Sequence, residues 1–291
     1  MTGLFGWFGQ DPAIGREAAL RRMLQADRQP PADTPAASLA HPARMAATGV
    51  RSRQIEVDGV HLAIVGHPHW VDGPTRSPDL HALALALRAG ADAASRLVGD
   101  FAVAMWDERS QRGLLAVDRI GVHPLFYGHA PGALVFASNL DLLRGHPDIR
   151  SELSKQGLYD FLYFHVCAGP HTIFTGLERL AAGHCVEFDG TAAAAPRPYW
   201  TMRFAPDATR PLRTLEDEFV GLLQDAVREL SADASSVGAF LSGGTDSSTV
   251  SGMLGRATGA PAHTFSIGFD VQGYDEMEYA RVAAQIGRAH V

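Results

Sequence analysis

The stretch SGGTDSS, residues 242–248, crowds backbone and hydroxyl hydrogen-bonding groups between an apolar run, VGAFL (237–241), and a helical pattern from Ser247 onward. Gly243 and Gly244 let the backbone come close to a ligand and take positive φ. The open N–H groups of a helix start, together with its dipole, favour an anion. Ser242, Ser247 and Ser248 add hydroxyl donors. Asp246 would repel a phosphate directly, so its natural task there is to hold a Mg²⁺ that neutralises one. The residues therefore read as a phosphate cradle with its own metal handle. The GxxxxGK lysine of a Walker loop is absent, and so is GxGxxG. The plainer reading of the same residues is a Gly–Ser turn followed by a serine helix cap.

The flanking elements must position this loop. HTFSIGF (263–269) follows the helix SSTVSGMLGRAT (247–258) as a second apolar strand, so strand, helix and strand form a βαβ unit with parallel pairing. Ahead of it, residues 214–230 form a helix with Leu215, Phe219, Leu222, Leu223 and Val227 on one face, and Thr214 with Asp217 is expected to cap it. Residues 190–211 are rich in Pro, Ala and Thr and read as a linker. Before them lies a unit of short strands at 60–68, 100–108, 112–128 and 133–139, with a helix at 78–90 ending in glycine. This is layered α+β packing. The expected domains are 1–195, a linker at 196–213, and 214–291.

The chain has 291 residues and a net charge of −7, which excludes a nucleic-acid binder relying on bulk positive charge. No apolar run is long enough to span a membrane, and the N-terminus is not a secretory signal. Cys167 and Cys185 are too few for a disulfide framework, so a reducing compartment, the cytoplasm, is expected. His61, His67 and His69, with Asp72, fit no standard zinc spacing and read as a polar loop. Both cysteines are expected to be packed, and Asp118 with Arg119 could pair at a turn.

SGGTDSS resembles the SGGxDS pyrophosphate loop of the asparagine synthetase family. Further blocks resemble that family in its order: 99–108, 116–128, 134–143, 176–188 and 264–284. The resemblance implies an N-terminal-nucleophile glutaminase-like domain, an αββα sandwich, followed by the start of an α/β ATP-pyrophosphatase domain. It implies ATP and Mg²⁺, with Ser242, Gly243, Gly244, Asp246 and Ser247 at the phosphates, Asp246 on the metal, and the backbone of Phe240, Leu241 and Ile267 at the adenine. A carboxylate would be adenylated, pyrophosphate released, and the acyl-adenylate attacked by ammonia or another amine. The substrate would be a small carboxylate or a peptide, with no nucleic acid or membrane as partner and room for a homodimer.

This chain departs from the family in two places. Thr2 stands where the family has its nucleophilic cysteine, and a hydroxyl is the weaker nucleophile at neutral pH. The Arg-Leu-Ser, Asn-Gly-Glu and Ser-Asp-x-Glu clamps have no match: ARMAATG (43–49) is the nearest to the first, LAIVGHPHW (62–70) stands at the second with no Asn-Gly-Glu, and Pro78 and Leu80 replace acid positions of the third, with Asp79 one residue out of register. A domain kept for packing rather than glutamine hydrolysis is expected, as in macrolactam cyclases of the lasso type and β-lactam synthetases. A two-stranded parallel sheet leaves its faces uncovered, so the family's second ATP loop, substrate pocket and catalytic lysine are expected beyond residue 291. The tail 286–291, IGRAHV, is the translation of a common sequencing-adapter string and is expected not to be natural sequence. The readings are thus an asparagine synthase-like ligase, a ring-closing relative of it, and a nucleotide-binding fragment without catalysis.

Overall fold

Strands, most of them buried on both faces, build the first unit of the molecule. The coordinates are a computed structural model that describes residues 3–28, 44–49, 52–72, 79–232, 236–271 and 275–288. The chain divides into two units, Met1–Arg203 and Phe204–Val291. In the first, β1 (Gly3–Gly9), β2 (Met45–Thr48), β9 (Phe126–Ala130), β10 (Ala133–Ala137) and β11 (Leu177–Arg179) form one sheet in the order β11-β9-β10-β1-β2. The other sheet runs β13-β12-β8-β7-β4-β3, from β3 (Ser52–Val57), β4 (Val60–Gly66), β7 (Phe101–Asp107), β8 (Arg112–Val117), β12 (His184–Phe188) and β13 (Arg197–Pro198). β5 (His69–Trp70) and β6 (Leu97–Val98) pair separately. Neighbours in both large sheets are antiparallel.

Alternation sorts the side chains into layers. Leu4 and Phe8 of β1 face Ala104, Trp106, Leu115 and Val117 of the second sheet. Phe5 and Trp7, the intervening residues, face Leu20 and Met23 of α1 (Arg16–Ala26) and Leu142 and Leu143 of α4 (Leu140–Arg144). On the far side, Leu62, Ile64, Val103 and Met105 pack on Leu83 and Ala84 of α2 (Leu80–Ala86), on Leu87 of a 3-10 turn, and on Ala94 of α3 (Ala91–Ala94). The architecture is an αββα sandwich. Phe8 lies at its centre, stacked on Trp106 at 5.6 Å and tilted against Phe136 at 4.9 Å. A Cβ at Gly113 would sit 2.4 Å from the Phe8 ring, so β8 needs a glycine there for lack of room. α5 (Lys155–Phe164) completes this unit.

Part of the segment expected as a linker is built into this sandwich. β13 pairs with β12, and the Tyr199 hydroxyl donates to Val117 O at 2.5 Å. Arg119 lies over the Trp200 ring at 5.4 Å, so it turns to that ring, while Asp118 is occupied by backbone amides.

In the second unit, α6 (Leu212–Ser231) precedes β14 (Gly238–Phe240), α7 (Thr245–Thr258), β15 (His263–Phe265) and α8 (Met277–Arg288). β14 and β15 are parallel, with Phe240 opposite Phe265. Two sequence expectations need correction. α6 starts at Leu212 after the N-cap Pro211 and has no side-chain cap, so Thr214 is inside the first turn and caps nothing: its amide and that of Leu215 donate to Pro211 O at 3.1 and 3.3 Å. Of the loop glycines only Gly243 takes positive φ, +85°, whereas Gly244 has φ −69°. A Cβ on Gly243 would lie 2.4 Å from the Tyr279 carbonyl carbon, backbone against backbone, and one on Gly244 would meet nothing nearer than Ser242 Oγ at 3.4 Å.

Two outcomes follow from this packing. Gly243→Ala should lower the thermal midpoint of the second unit by several degrees and Gly244→Ala should leave it nearly unchanged, read by circular dichroism melts; equal effects would contradict the conformational argument. His146 is the second case. It is buried, edge-on to Trp7 at 5.2 Å, and its Nδ1 accepts the Asp148 amide at 3.2 Å. Burial pushes its pKa down to about 4, outweighing the pull of the Asp148 carboxylate. The unfolded chain takes up this proton from about pH 6.5 downward and the folded chain does not until about pH 4, so stability is full above 6.5 and falls through that window. The loss is up to about 1.4 kcal/mol per pH unit. His146→Asn, which keeps an acceptor and cannot ionise, should flatten the pH dependence of the urea midpoint in that window, followed by tryptophan fluorescence; an unchanged slope would count against it.

Candidate functional site

The strand end at Leu241 is closed from two sides. Its amide donates to Phe265 O at 2.8 Å, continuing the parallel ladder, and its carbonyl accepts from Ser266 Oγ at 2.6 Å. Leu241 is buried, whereas Phe240 and Ile267 are exposed, so the positions assigned to adenine by resemblance lie on an open apolar edge beside Phe265. From Ser242 the chain turns into α7. Ser242 Oγ and Ser247 Oγ are 3.0 Å apart, the Ser242 amide donates to Ser247 Oγ at 3.2 Å, and Ser247 Oγ donates to Gly244 O at 3.2 Å. The two serines tie the loop into one closed shape, their hydroxyls spent on each other and on the backbone.

α7 begins at Thr245, earlier than its hydrophobic spacing suggests, so Asp246 and Ser247 sit within its first turn. The first backbone bond of the helix runs from Ser248 N to Gly244 O at 3.1 Å. The amides of Thr245, Asp246 and Ser247 precede it and point out of the helix end as open donors. Asp246 is exposed, its carboxylate at the positive end of the dipole. Open amides beside an accessible carboxylate form a donor set that fits a phosphate and a hard cation together. Gly243 packs on the start of α8, and Asp275 Oδ1 accepts from Met277 N at 3.2 Å, so the loop rests on a fixed helix end.

The residues matched by resemblance to a glutamine site are described only in part. Thr2 is outside the described residues, as are Pro78 and part of the 43–49 segment. At the start of β1, the Leu4 amide donates to Ser138 Oγ at 3.1 Å, and Thr48 Oγ1 donates to Gly3 O at 3.5 Å. Gly66 ends β4 with φ +92°, and a Cβ there would strike Asp100 O at 2.1 Å. The His67 amide donates to Asp100 O at 2.7 Å, and His123 Nε2 lies 2.8 Å from Asp100 Oδ2. Burial raises the Asp100 pKa, but the His123 hydrogen bond and the nearby His67 outweigh it and hold the carboxyl below its usual value.

Asp79 is the N-cap of α2 and accepts the His81 amide at 3.0 Å. Arg53 was not singled out by sequence. It is the second residue of β3, lies half-buried, and donates to Gly66 O at 3.0 Å. Its only signal was to be one of two arginines, in RSR (51–53), at the head of a strand, which no motif marks.

The histidines separate rather than converge: His61 Nε2 faces Glu108 at 3.1 Å while His67 faces Asp100 at 3.5 Å. Among the described residues no group of three or more His, Cys, Asp or Glu is arranged to hold a metal. Cys185 is buried on β12 and burial pushes its thiol up to about 11, so it is inert. No helix among the described residues is long and apolar enough to cross a membrane.

Comparison with known proteins agrees with both parts of this geometry. Residues 79–200 match the glutamine amidotransferase domain family, and residues 218–291 match the asparagine synthase family. The chain is 32% identical over 188 residues to asparagine synthetase (glutamine-hydrolyzing) 3 of Bacillus subtilis (strain 168), covering 62% of this chain and 30% of that protein. It is 29% identical over 203 residues to asparagine synthetase (glutamine-hydrolyzing) 1 of the same organism, covering 67% of this chain and 31% of that one. The chain thus spans about a third of the length of these curated relatives. A solved glutamine phosphoribosylpyrophosphate amidotransferase from B. subtilis is similar at 15% identity and a TM-score of 0.37, over 90% of this chain and 65% of that one, too slight to bear on function. The chain thus carries, in this order, a segment of the glutamine amidotransferase domain family and a segment of the asparagine synthase family.

Proposed function

We propose that this chain carries the pyrophosphate-binding half-site of an asparagine synthase-like ligase that forms an amide at the expense of ATP, releasing AMP and pyrophosphate. The observation that supports it is the loop at 242–248: a serine-tied turn that leaves the first-turn amides of α7 open beside the Asp246 carboxylate. The β- and γ-phosphates of ATP would lie on the amides of 245–247, with Ser242, Gly243, Gly244 and Ser247 shaping the cradle. Mg²⁺, held by Asp246, would neutralise the phosphate charge. The backbone at Phe240, Leu241 and Ile267 would receive the adenine. The α-phosphate is then left accessible to a carboxylate, and an amine attacks the acyl-adenylate. The cellular setting that suits this chemistry is the cytoplasm.

A second reading concerns the nitrogen source. Where relatives clamp glutamine, this chain has Gly66 backed by Asp100 O, Asp79 capping a helix, and Thr2 in place of a thiol. These features favour a nucleophile other than glutamine-derived ammonia, either free ammonia or an amine on the substrate itself. In the latter case the enzyme would close a ring, as a peptide macrolactam cyclase or β-lactam-forming relative does.

Two measurements test these readings. Titration of the chain with ATP in a calorimeter should show binding that needs Mg²⁺, and Asp246→Ala should weaken it by at least about tenfold, or roughly 1.4 kcal/mol. Equal affinity with and without Mg²⁺ in both proteins would refute the assignment of Asp246. Glutamate release from glutamine should be negligible in the wild type and should stay negligible in Thr2→Cys, because a thiol without its clamps holds no substrate in attacking geometry. Rapid release by Thr2→Cys would mean that other residues supply the clamps.

A further inference from the structure

The parallel ladder of the second unit stops one bond short of where its register would carry it. Gly238, Ala239 and Phe240 stand opposite His263, Thr264 and Phe265. In the same register Leu241 stands opposite Ser266, and its amide makes the bond that this pairing requires, to Phe265 O at 2.8 Å. The return bond of a parallel pair would run from the Ile267 amide to Leu241 O. That bond is not made. The Ser266 hydroxyl donates to Leu241 O instead, at 2.6 Å. A side chain has taken the acceptor that the backbone of the next residue would use.

The consequence falls on Ile267. Among the described residues nothing bonds to its amide or its carbonyl, and the residue is 66% exposed. The segment around it is nonetheless held. Ser266 ties it to the end of β14 on one side, and on the other the Phe269 amide donates to Asp275 Oδ1 at 3.4 Å. Between these two anchors the Ile267 backbone offers one donor and one acceptor to solvent. Leu241 immediately precedes Ser242, so this open backbone lies at the same strand end as the 242–248 loop.

A purine with a 6-amino group presents an acceptor, N1, beside a donor, the N6 amine. A 6-oxopurine presents the reverse pair, a protonated N1 beside O6. One free amide with one free carbonyl therefore suits the first and leaves like groups facing each other with the second. We propose that Ser266 is a positioning residue for the nucleobase: by capping Leu241 O it keeps the Ile267 amide out of the ladder and open to a 6-aminopurine. This rests on the reading of the 242–248 loop as a phosphate cradle. Without the hydroxyl, Leu241 O would be an unsatisfied acceptor on a buried residue, and the amide in register to satisfy it is that of Ile267. The ladder would then gain a bond and the base would lose its donor.

The test is calorimetric titration of the full chain with ATP, GTP and inorganic pyrophosphate, each with Mg²⁺. Wild type should bind ATP more tightly than GTP by at least about tenfold. Ser266→Ala should weaken ATP about tenfold, bring it close to GTP, and leave pyrophosphate within about twofold of wild type. Ser266→Thr, which keeps the hydroxyl, should retain the preference for ATP. Circular dichroism checks the fold of each variant. Amide spectra of the ¹⁵N-labelled wild type carry the test should Ser266→Ala fail to fold: the Ile267 resonance should move on adding ATP and stay in place with GTP or pyrophosphate. A wild type that binds pyrophosphate but does not distinguish ATP from GTP, a Ser266→Ala protein with the wild-type preference, a Ser266→Thr protein as impaired as Ser266→Ala, or an Ile267 amide that ignores ATP would each overturn this proposal and leave the cradle standing. A wild type that binds neither pyrophosphate nor ATP would overturn both.

Discussion

Five backbone amides converge on the buried carboxylate of Asp118, those of Phe101, Ile120, Gly121, Val122 and His123. A carboxylate out of water costs several kcal/mol unless its oxygens are satisfied, and here both are. The consequence is geometric. The turn after β8 has to wrap around Asp118, which ties it to the start of β7 through Phe101. His123 is thereby delivered to Asp100, and the Asp118 carbonyl accepts the Gly183 amide at 2.8 Å, drawing in the turn before β12. One end of the sandwich is thus fixed by a single charge. At that end the His67 amide also donates to Asp100 O at 2.7 Å.

The second unit relies on a different constraint, the chirality and polarity of one strand–helix–strand unit. Parallel pairing of β14 and β15 needs a crossover, and the crossover helix starts where the first strand ends. A helix start leaves amides without partners, and a strand end leaves room for a ligand above them. The close approach of Gly243 to Tyr279 then fixes the loop from behind. The two serines fix it from within, so an anion entering the cradle would meet donors already in place.

Much of this was readable from sequence because it rests on local chemistry. SGGTDSS and the apolar runs around it determine strand, turn and helix by short-range sterics, and the buried strands at 60–66, 101–107 and 133–137 stand out as apolar segments closed by Gly, Asp or Ser. What escaped depends on distant partners. Thr214 and Asp217 have capping chemistry, yet Pro211 begins the helix first. Gly243 and Gly244 look alike in sequence, and only the packing of α8 separates their roles. α5 was not anticipated, because YDFLYF has the composition of a strand and its helix is secured through the backbone of Gly157. Arg53 became visible only when β3 and β4 paired and brought it to Gly66.

The central claim is that residues 243–248 form a preorganised pyrophosphate cradle. Amide spectra of the ¹⁵N-labelled chain, recorded with inorganic pyrophosphate and Mg²⁺, test it most directly. The account predicts saturable shifts centred on the amides of Gly243 to Ser248, strongest at Thr245 to Ser247, and much smaller without Mg²⁺. Shifts absent from this segment, or spread over basic surface side chains independently of the metal, would contradict it.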